Sequence, residues 1–196
     1  AMTVLILANN KIGARGMDAL ARVLPETKTL TYLDVCVTSM KTDGMITLSR
    51  VLPRTNIKEL HVRRNKIDTA GMIALASALR DANWITSLDL GGNAIEIDGM
   101  RALTEALQFS AITLLELDSM SISSDSARLL AKVLPHMNLT MLNLSGNDNL
   151  NSTEDRTSSA DGLQTILHSL PATLVLLGLS AVNPTSQDLV SLISIL

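Results

Sequence analysis

Aromatic residues are almost absent from this 196-residue chain, which holds one Trp, one Tyr and one Phe. A core built on bulky rings is therefore excluded, although 46% of the residues are hydrophobic. The core must consist of aliphatic side chains together with the nine methionines, whose flexible thioethers fill irregular gaps. This bias suits a core of repeated, stacked aliphatic positions, because large rings would disturb the spacing between them.

Strong net charge and long hydrophobic runs are missing too. The formal net charge is −3 and there is no basic run, so neither nucleic acid nor a membrane surface is expected as a partner. No stretch approaches the roughly 20 apolar residues of a membrane span. The first residues also lack the basic region of a signal peptide.

Cysteine is limited to Cys36, so an intrachain disulfide cannot form. This predicts a reducing, intracellular setting, and we expect the chain to be cytoplasmic. The three histidines, His61, His136 and His168, fall in different parts of the chain and do not form a metal-binding pattern. A phosphate-binding Gly-x-x-x-x-Gly-Lys-Ser/Thr loop is absent, and we expect no cofactor.

What the sequence does contain is a repeated motif, clearest at Ile85–Ile95. Its skeleton combines an apolar start, Leu88, Leu90, Asn93 and a final isoleucine. The first leucines of the seven copies are Leu5, Leu33, Leu60, Leu88, Leu115, Leu142 and Leu177. They lie 28, 27, 28, 27, 27 and 35 residues apart. A fixed period of this length dictates a repeat architecture.

A helix-period segment follows each copy of the motif. In the third copy Met72, Leu75 and Leu79 make one apolar stripe, typical of an amphipathic helix. Residues expected to cap helix N-termini are Thr42, Thr69, Ser124 and Thr185. Residues expected to stop helices are Pro25, Pro53, Pro135 and Pro171. Each unit is thus predicted to be a short strand, a turn and a helix.

These repeats resemble the leucine-rich repeat family, and their period with a full helix is similar to its ribonuclease-inhibitor-like subfamily. The resemblance covers residues 1–196 and implies an α/β fold. That fold is a right-handed, horseshoe-shaped solenoid of about seven repeats, with a concave parallel β-sheet and convex α-helices. It also implies that Asn10, Asn65, Asn93 and Asn147 bond the backbone where each strand leaves the sheet. Thr38 would do so only in part, and Met120 and Val182 would not.

The sixth repeat and the two ends depart from this pattern. The step of 35 residues implies a polar insertion at Asn147–Ser159, which we interpret as a tolerated surface loop, with a binding loop as the alternative. Met2 lies close to the first strand, and the chain finishes on an apolar helix. Because solenoids need polar capping repeats, we expect either a fragment of a longer array or ends covered by a partner chain.

Alternation along each strand predicts where a partner would bind. Residues between the core leucines point to the opposite face of the sheet, which we expect to be open to water. The candidate partner-binding residues of this concave face are Tyr32, Asp34, Glu59, His61, Arg63, Arg64, Asp89, Glu116 and Asp118. Tyr32 and the two arginines are the expected anchors, because Tyr and Arg are enriched among residues that dominate binding energy. The alternative is a solvated face on which Arg63 and Arg64 pair with neighbouring carboxylates.

The function predicted from these features is a non-catalytic protein-interaction module that binds its partner through the concave face. One alternative is a regulator of a small GTPase similar to the Ran activators. Another is the ligand-sensing repeat region of an intracellular receptor or effector. A catalytic alternative would use Cys36, His61 and Asp89 on three successive strands, but an open surface offers neither a water-excluding pocket nor a thiol-activating environment.

Overall fold

Seven short parallel strands form one sheet in chain order in the computed structural model, which describes residues 2–151 and 162–195. The strands are β1 (Val4–Ile6), β2 (Tyr32–Asp34), β3 (Glu59–His61), β4 (Ser87–Asp89), β5 (Leu114–Glu116), β6 (Met141–Asn143) and β7 (Leu176–Gly178). Each strand pairs with the next so that its central leucine is aligned with the central leucine of its neighbour. The predicted strand positions are confirmed.

A helix follows every strand, as the period predicts. The helices are α1 (Gly13–Val23), α2 (Lys41–Val51), α3 (Thr69–Asp81), α4 (Ile97–Leu107), α5 (Ser124–Val133), α6 (Gly162–Leu167) and α7 (Ser186–Ile195). Among the described residues, 3-10 turns lie at Leu24–Glu26, Leu52–Arg54, Leu134–His136 and Asp148–Asn151. Pro25, Pro53 and Pro135 each lie in one of these turns, directly after a helix that they prevent from continuing.

The core lies between the sheet and the helices and is aliphatic throughout. The central leucines of β2 to β6 are fully buried, and so are the equivalent helix methionines Met17, Met45, Met72 and Met100. Burial of one such side chain stabilises the fold by about 1.5–3 kcal/mol. The alternating pattern, helix after strand, makes the chain a leucine-rich-repeat solenoid of the α/β class, as expected.

Buried asparagines connect successive repeats where the strands end. The Asn65 amide nitrogen donates to the carbonyl oxygens of Val35 (2.7 Å) and Val62 (2.9 Å), and Asn65 Oδ1 accepts from the backbone N–H groups of Thr38 (3.0 Å) and Met40 (3.2 Å). Asn93 holds the turn of Asn65 in the same way. The backbone-bonding role implied by the family resemblance is confirmed.

Three of the four expected helix caps are wrong, two of them by one residue. Asp68 caps α3 by accepting from the backbone N–H groups of Ala70 and Gly71, and Ser123 caps α5. Thr42 lies inside α2. The expected cap at Thr185 is confirmed, because its hydroxyl accepts from the backbone N–H of Asp188 at 3.2 Å.

The predicted insertion at Asn147–Ser159 is described only in its first part. Asn147 is fully buried and belongs to the buried asparagines, since it bonds the backbone of the preceding repeat. Residues 148–151 form a 3-10 turn, and Leu150 is buried in the core. Asn147 therefore belongs to the repeat motif rather than to the insertion, and residues 152–159 lie outside the described part of the chain.

Candidate partner-binding surface

The parallel register brings the candidate residues together on the concave face. Tyr32 is paired with Glu59, and Asp34 with His61, on β2 and β3. His61 is then paired with Asp89, and Asp89 with Glu116, across β4 and β5. Adjacent strands lie about 4.8 Å apart, so these side chains form dense rows rather than isolated groups.

Burial divides the candidate residues into three groups. Glu59 and Arg64 are exposed. Half-buried members are Tyr32, Asp34, His61, Arg63 and Glu116. Asp89 and Asp118 are only 8% and 5% exposed, so the expectation that they face open water is wrong. Their neighbours in the same rows cover them, which a strand-by-strand pattern does not show.

Arg63 covers the centre of the face by reaching across two repeats. Both of its terminal nitrogens donate to the two carboxylate oxygens of Asp118, which lies just after β5. The hydrogen bond to Asp118 raises the pKa of Arg63 above its ordinary value. A second carboxylate, that of Asp89, is also close, with its Oδ1 atom 3.9 Å from Arg63 Nη1. Arg63 is therefore held by the protein itself, which agrees with the pairing alternative for this arginine rather than with a free anchor.

Two glycines make room for the arginine pair. A Cβ atom at Gly91 would collide with the Arg63 guanidinium and with the Asp118 carboxylate. A Cβ atom at Gly92 would lie 2.5 Å from Arg64 Cγ. These glycines were not among the predicted site residues, although their adjacency in the sequence is a signal of close approach. They determine how both arginines lie on the face.

Asp89 is the buried carboxylate with the clearest electrostatic perturbation. Burial raises its pKa above the ordinary value, although the backbone N–H of Gly91 (2.9 Å) and the charge of Arg63 act in the opposite direction. The folded protein thus holds a proton on Asp89 to higher pH than the unfolded chain does. The stability contributed by this group is present below about pH 4 and is lost as the pH rises through the folded-state pKa.

We expect Asp89→Asn to raise the melting temperature at pH 7 and to flatten the decline in stability above about pH 4. The asparagine oxygen still accepts from the backbone N–H of Gly91, and position 89 no longer holds a buried charge. Thermal unfolding of both proteins between pH 3.5 and 7.5 measures the effect. If the variant keeps the pH slope of the wild type, another carboxylate is responsible for it.

Tyr32 and His61 form the aromatic part of the face. Their ring centroids lie 5.0 Å apart with the rings tilted by 37°. Burial and the negative charges of Asp34 and Glu59 raise the pKa of Tyr32, so its hydroxyl stays protonated at neutral pH. Val4 and Ile6, on the neighbouring strand, add exposed apolar surface at 49% and 62% exposure. Alternation places both residues on this face, although neither is among the candidate partner-binding residues.

The Cys36 environment argues against the catalytic alternative. Burial raises the pKa of the Cys36 thiol to about 12, and the hydrogen bond with Asp34 acts in the same direction. A nucleophilic cysteine needs a lowered pKa, because the thiolate is the reactive form. His61 and Asp89 do approach each other, with 3.9 Å between Nδ1 and Oδ2, but this pair faces a thiol that stays protonated.

Within the described residues, no group of three or more His, Cys, Asp or Glu side chains is placed to hold a metal ion. No helix in the same part of the chain has both the length and the apolar character needed to cross a membrane.

A family model described as Leucine Rich repeat matches residues 2–21, 55–76 and 82–103. Among curated proteins, the chain is similar to NACHT, LRR and PYD domains-containing protein 5 of Homo sapiens, with 34% identity over 110 residues. NACHT, LRR and PYD domains-containing protein 4C of Mus musculus is 33% identical over 106 residues. These matches cover 55% and 53% of this chain but only 9% and 11% of the relatives.

The fold also resembles a solved structure, that of the leucine-rich repeat-containing protein LegL7 from Legionella pneumophila. The TM-score is 0.58 at 20% sequence identity, and the match covers 99% of this chain and 62% of LegL7. The ribonuclease-inhibitor-like subfamily stays a prediction. The matched segments and the solenoid make this chain similar to leucine-rich repeat proteins, whose fold it shares.

Proposed function

We propose that this chain is a non-catalytic interaction module that binds a partner protein through its concave sheet face. The observation that carries the proposal is the contrast along β2, β3, β5 and β6. In each of these strands the central leucine is fully buried, whereas the residues on either side of it are exposed or half-buried. A parallel sheet is normally covered on both faces, so an uncovered face is available to another molecule.

The exposed groups that support binding lie at the β1–β3 end of this face. Tyr32 offers an aromatic ring, Glu59 and Arg64 offer charges, and the apolar Val4 and Ile6 lie beside them. Such a mixture of aromatic, apolar and charged groups is typical of protein interfaces. Arg63 is left out of the contact set because it is engaged by Asp118.

We expect Tyr32→Ala combined with Arg64→Glu to weaken partner binding at least about tenfold, because removal of two anchor side chains typically costs more than about 1.4 kcal/mol. Quantitative pull-down of the binding proteins from a cell extract measures the loss. The matched control is Phe109→Ala combined with Lys132→Glu, which removes an exposed aromatic and reverses an exposed charge away from the sheet. Equal loss of the same bound proteins in both variants would place the interface elsewhere.

A more specific candidate is the ligand-sensing repeat region of a larger receptor or effector. The names of the relatives support this candidate, because they list NACHT and PYD domains together with the repeats. The matched stretch makes up only about a tenth of the length of these relatives. Regulation of a small GTPase is an alternative prediction. Measurement of nucleotide hydrolysis by candidate GTPases with and without the chain tests it.

A further inference from the structure

Charge is divided unevenly along the solenoid. Residues 1–66 hold eleven of the sixteen Lys and Arg residues and five of the nineteen Asp and Glu residues, a formal net charge of +6. Residues 67–196 hold the remainder, a formal net charge of −9. The overall value of −3 therefore hides a basic first part and an acidic second part. An asymmetry of this kind favours an acidic partner at the first part and a basic partner at the second.

Part of the basic excess lies in a groove on the helical side, away from the sheet. The groove separates α1 and its following 3-10 turn from α2 and its following 3-10 turn, and its volume is about 480 Å³. Arg22, Arg50 and Arg54 line it with exposed side chains. Among the described residues, no carboxylate lies within 4.0 Å of any of the three guanidinium groups.

The carboxylates of the groove do not neutralise it. Asp18 is engaged by the hydroxyl of Thr47, which donates to it at 3.0 Å. Glu26 is exposed and forms no ion pair within the described residues. Three guanidinium groups against two carboxylates leave a local excess of positive charge.

The basic groove is confined to the first two repeats. Arg22 and Arg50 occupy equivalent positions, five residues after Met17 and Met45. In the third and fourth repeats the same position holds Ser77 and then Glu105. The position of Arg54 is likewise taken by Asp81 one repeat later. The arginines therefore form a bounded patch rather than a row along the whole solenoid.

We propose that this groove binds an acidic segment of a partner protein, independently of the concave face. Arginine matches carboxylates by paired, parallel hydrogen bonds, and three adjacent guanidinium groups can engage successive Asp or Glu side chains. The floor of the groove includes Ala21 and Val51, which suit the aliphatic parts of a peptide. The size of the groove fits a few side chains.

A nucleic acid fits this groove less well. Single strands are usually held by aromatic rings that stack on the bases, and none of the three aromatic residues of the chain lines the groove. The carboxylates of Asp18 and Glu26 would also repel a continuous phosphate backbone. A peptide can alternate charged and neutral residues and so avoid them.

Binding of a fluorescent octapeptide of alternating Glu and Ser, measured by anisotropy at low salt, tests the proposal. Arg22→Gln combined with Arg50→Gln and Arg54→Gln is expected to weaken binding at least about tenfold. The matched control is Lys11→Gln, Lys28→Gln and Lys41→Gln, which removes the same charge from exposed positions of the same part outside the groove. It is expected to change the affinity less than about twofold.

A single Arg54→Gln variant keeps the test valid if the triple variant loses stability, since Arg22 and Arg50 also complement the carbonyl ends of their helices. This variant is expected to weaken binding about threefold. Equal losses in the groove and control variants would overturn the proposal. So would equal binding of the peptide with Gln in place of Glu, absence of peptide binding, or tighter binding of an eight-nucleotide thymidine strand.

Discussion

Asn65→Ala is expected to lower the free energy of unfolding by about 3–5 kcal/mol. The Asn65 side chain is fully buried and bonds five backbone groups, the carbonyls of Val35, Val62 and Arg63 and the N–H groups of Thr38 and Met40. Alanine leaves all five without this partner. Each buried backbone group that loses its partner costs about 1–3 kcal/mol, and entry of water offsets part of the total. Urea unfolding followed by the fluorescence of Trp84 measures the change.

The matched control is Asn10→Ala, at the equivalent position of the first repeat. Asn10 is exposed, and its amide donates to the carbonyl oxygens of Leu7 (3.0 Å) and Ala8 (3.2 Å), which water can replace. We expect a loss below about 1 kcal/mol. Similar losses at both positions would mean that the burial of the asparagine, and the link between repeats that it makes, contributes little.

Arg63→Ala is expected to lower the free energy of unfolding by about 2–3 kcal/mol, near the lower end for removing one partner of a buried ion pair, since Arg63 is partly exposed. Asp118 is only 5% exposed, and the substitution would remove both hydrogen bonds that it accepts from the guanidinium. Asp89 would lose the nearby positive charge as well. Urea unfolding at pH 7 measures this loss, and partner binding falls with it because the centre of the concave face rearranges.

The double variant Arg63→Met with Asp118→Asn separates the charge from the packing. Methionine keeps the aliphatic volume over Gly91, and asparagine removes the buried charge. We expect its stability to lie within about 1 kcal/mol of the wild type, since replacing both members of a buried pair is often nearly neutral. A double variant as unstable as Arg63→Ala would show that the ion pair itself, rather than the unpaired Asp118, determines the loss.

The architecture could be predicted from the sequence because identical environments recur. Leu33, Leu60 and Leu88 are each surrounded by the same neighbours one repeat away, so one pattern of residues determines every strand. The asparagines followed from the same recurrence, once the resemblance to a known family implied their role. The first residue of each helix could not be predicted from the sequence in the same way. Asp68 and Thr69 are adjacent residues that can both cap a helix, and only the backbone geometry decides between them.

The chemistry of the concave face could be predicted only in part. Alternation places Asp89 and Arg63 on the correct face, but their burial depends on contacts between non-neighbouring repeats. The reach of Arg63 over Gly91 to Asp118 spans 55 residues of sequence. The residues next to Arg63 and Asp118 in the sequence do not indicate that these two side chains meet. The free arginines of the helical side were missed for a different reason, because whole-chain net charge conceals a local excess.

The ion pair between Arg63 and Asp118 has a consequence for how the repeats separate. The fifth repeat has Met120 where its neighbours have asparagine, so the backbone N–H of Ile95 donates to the Met120 carbonyl (3.1 Å) instead of to a side-chain amide. The Arg63–Asp118 pair crosses this same boundary. Salt screens charges but hardly affects neutral amides. Opening of this boundary, seen as faster amide hydrogen exchange, should therefore respond to ionic strength more strongly than opening of the preceding boundary, which the pair also crosses but which Asn93 links.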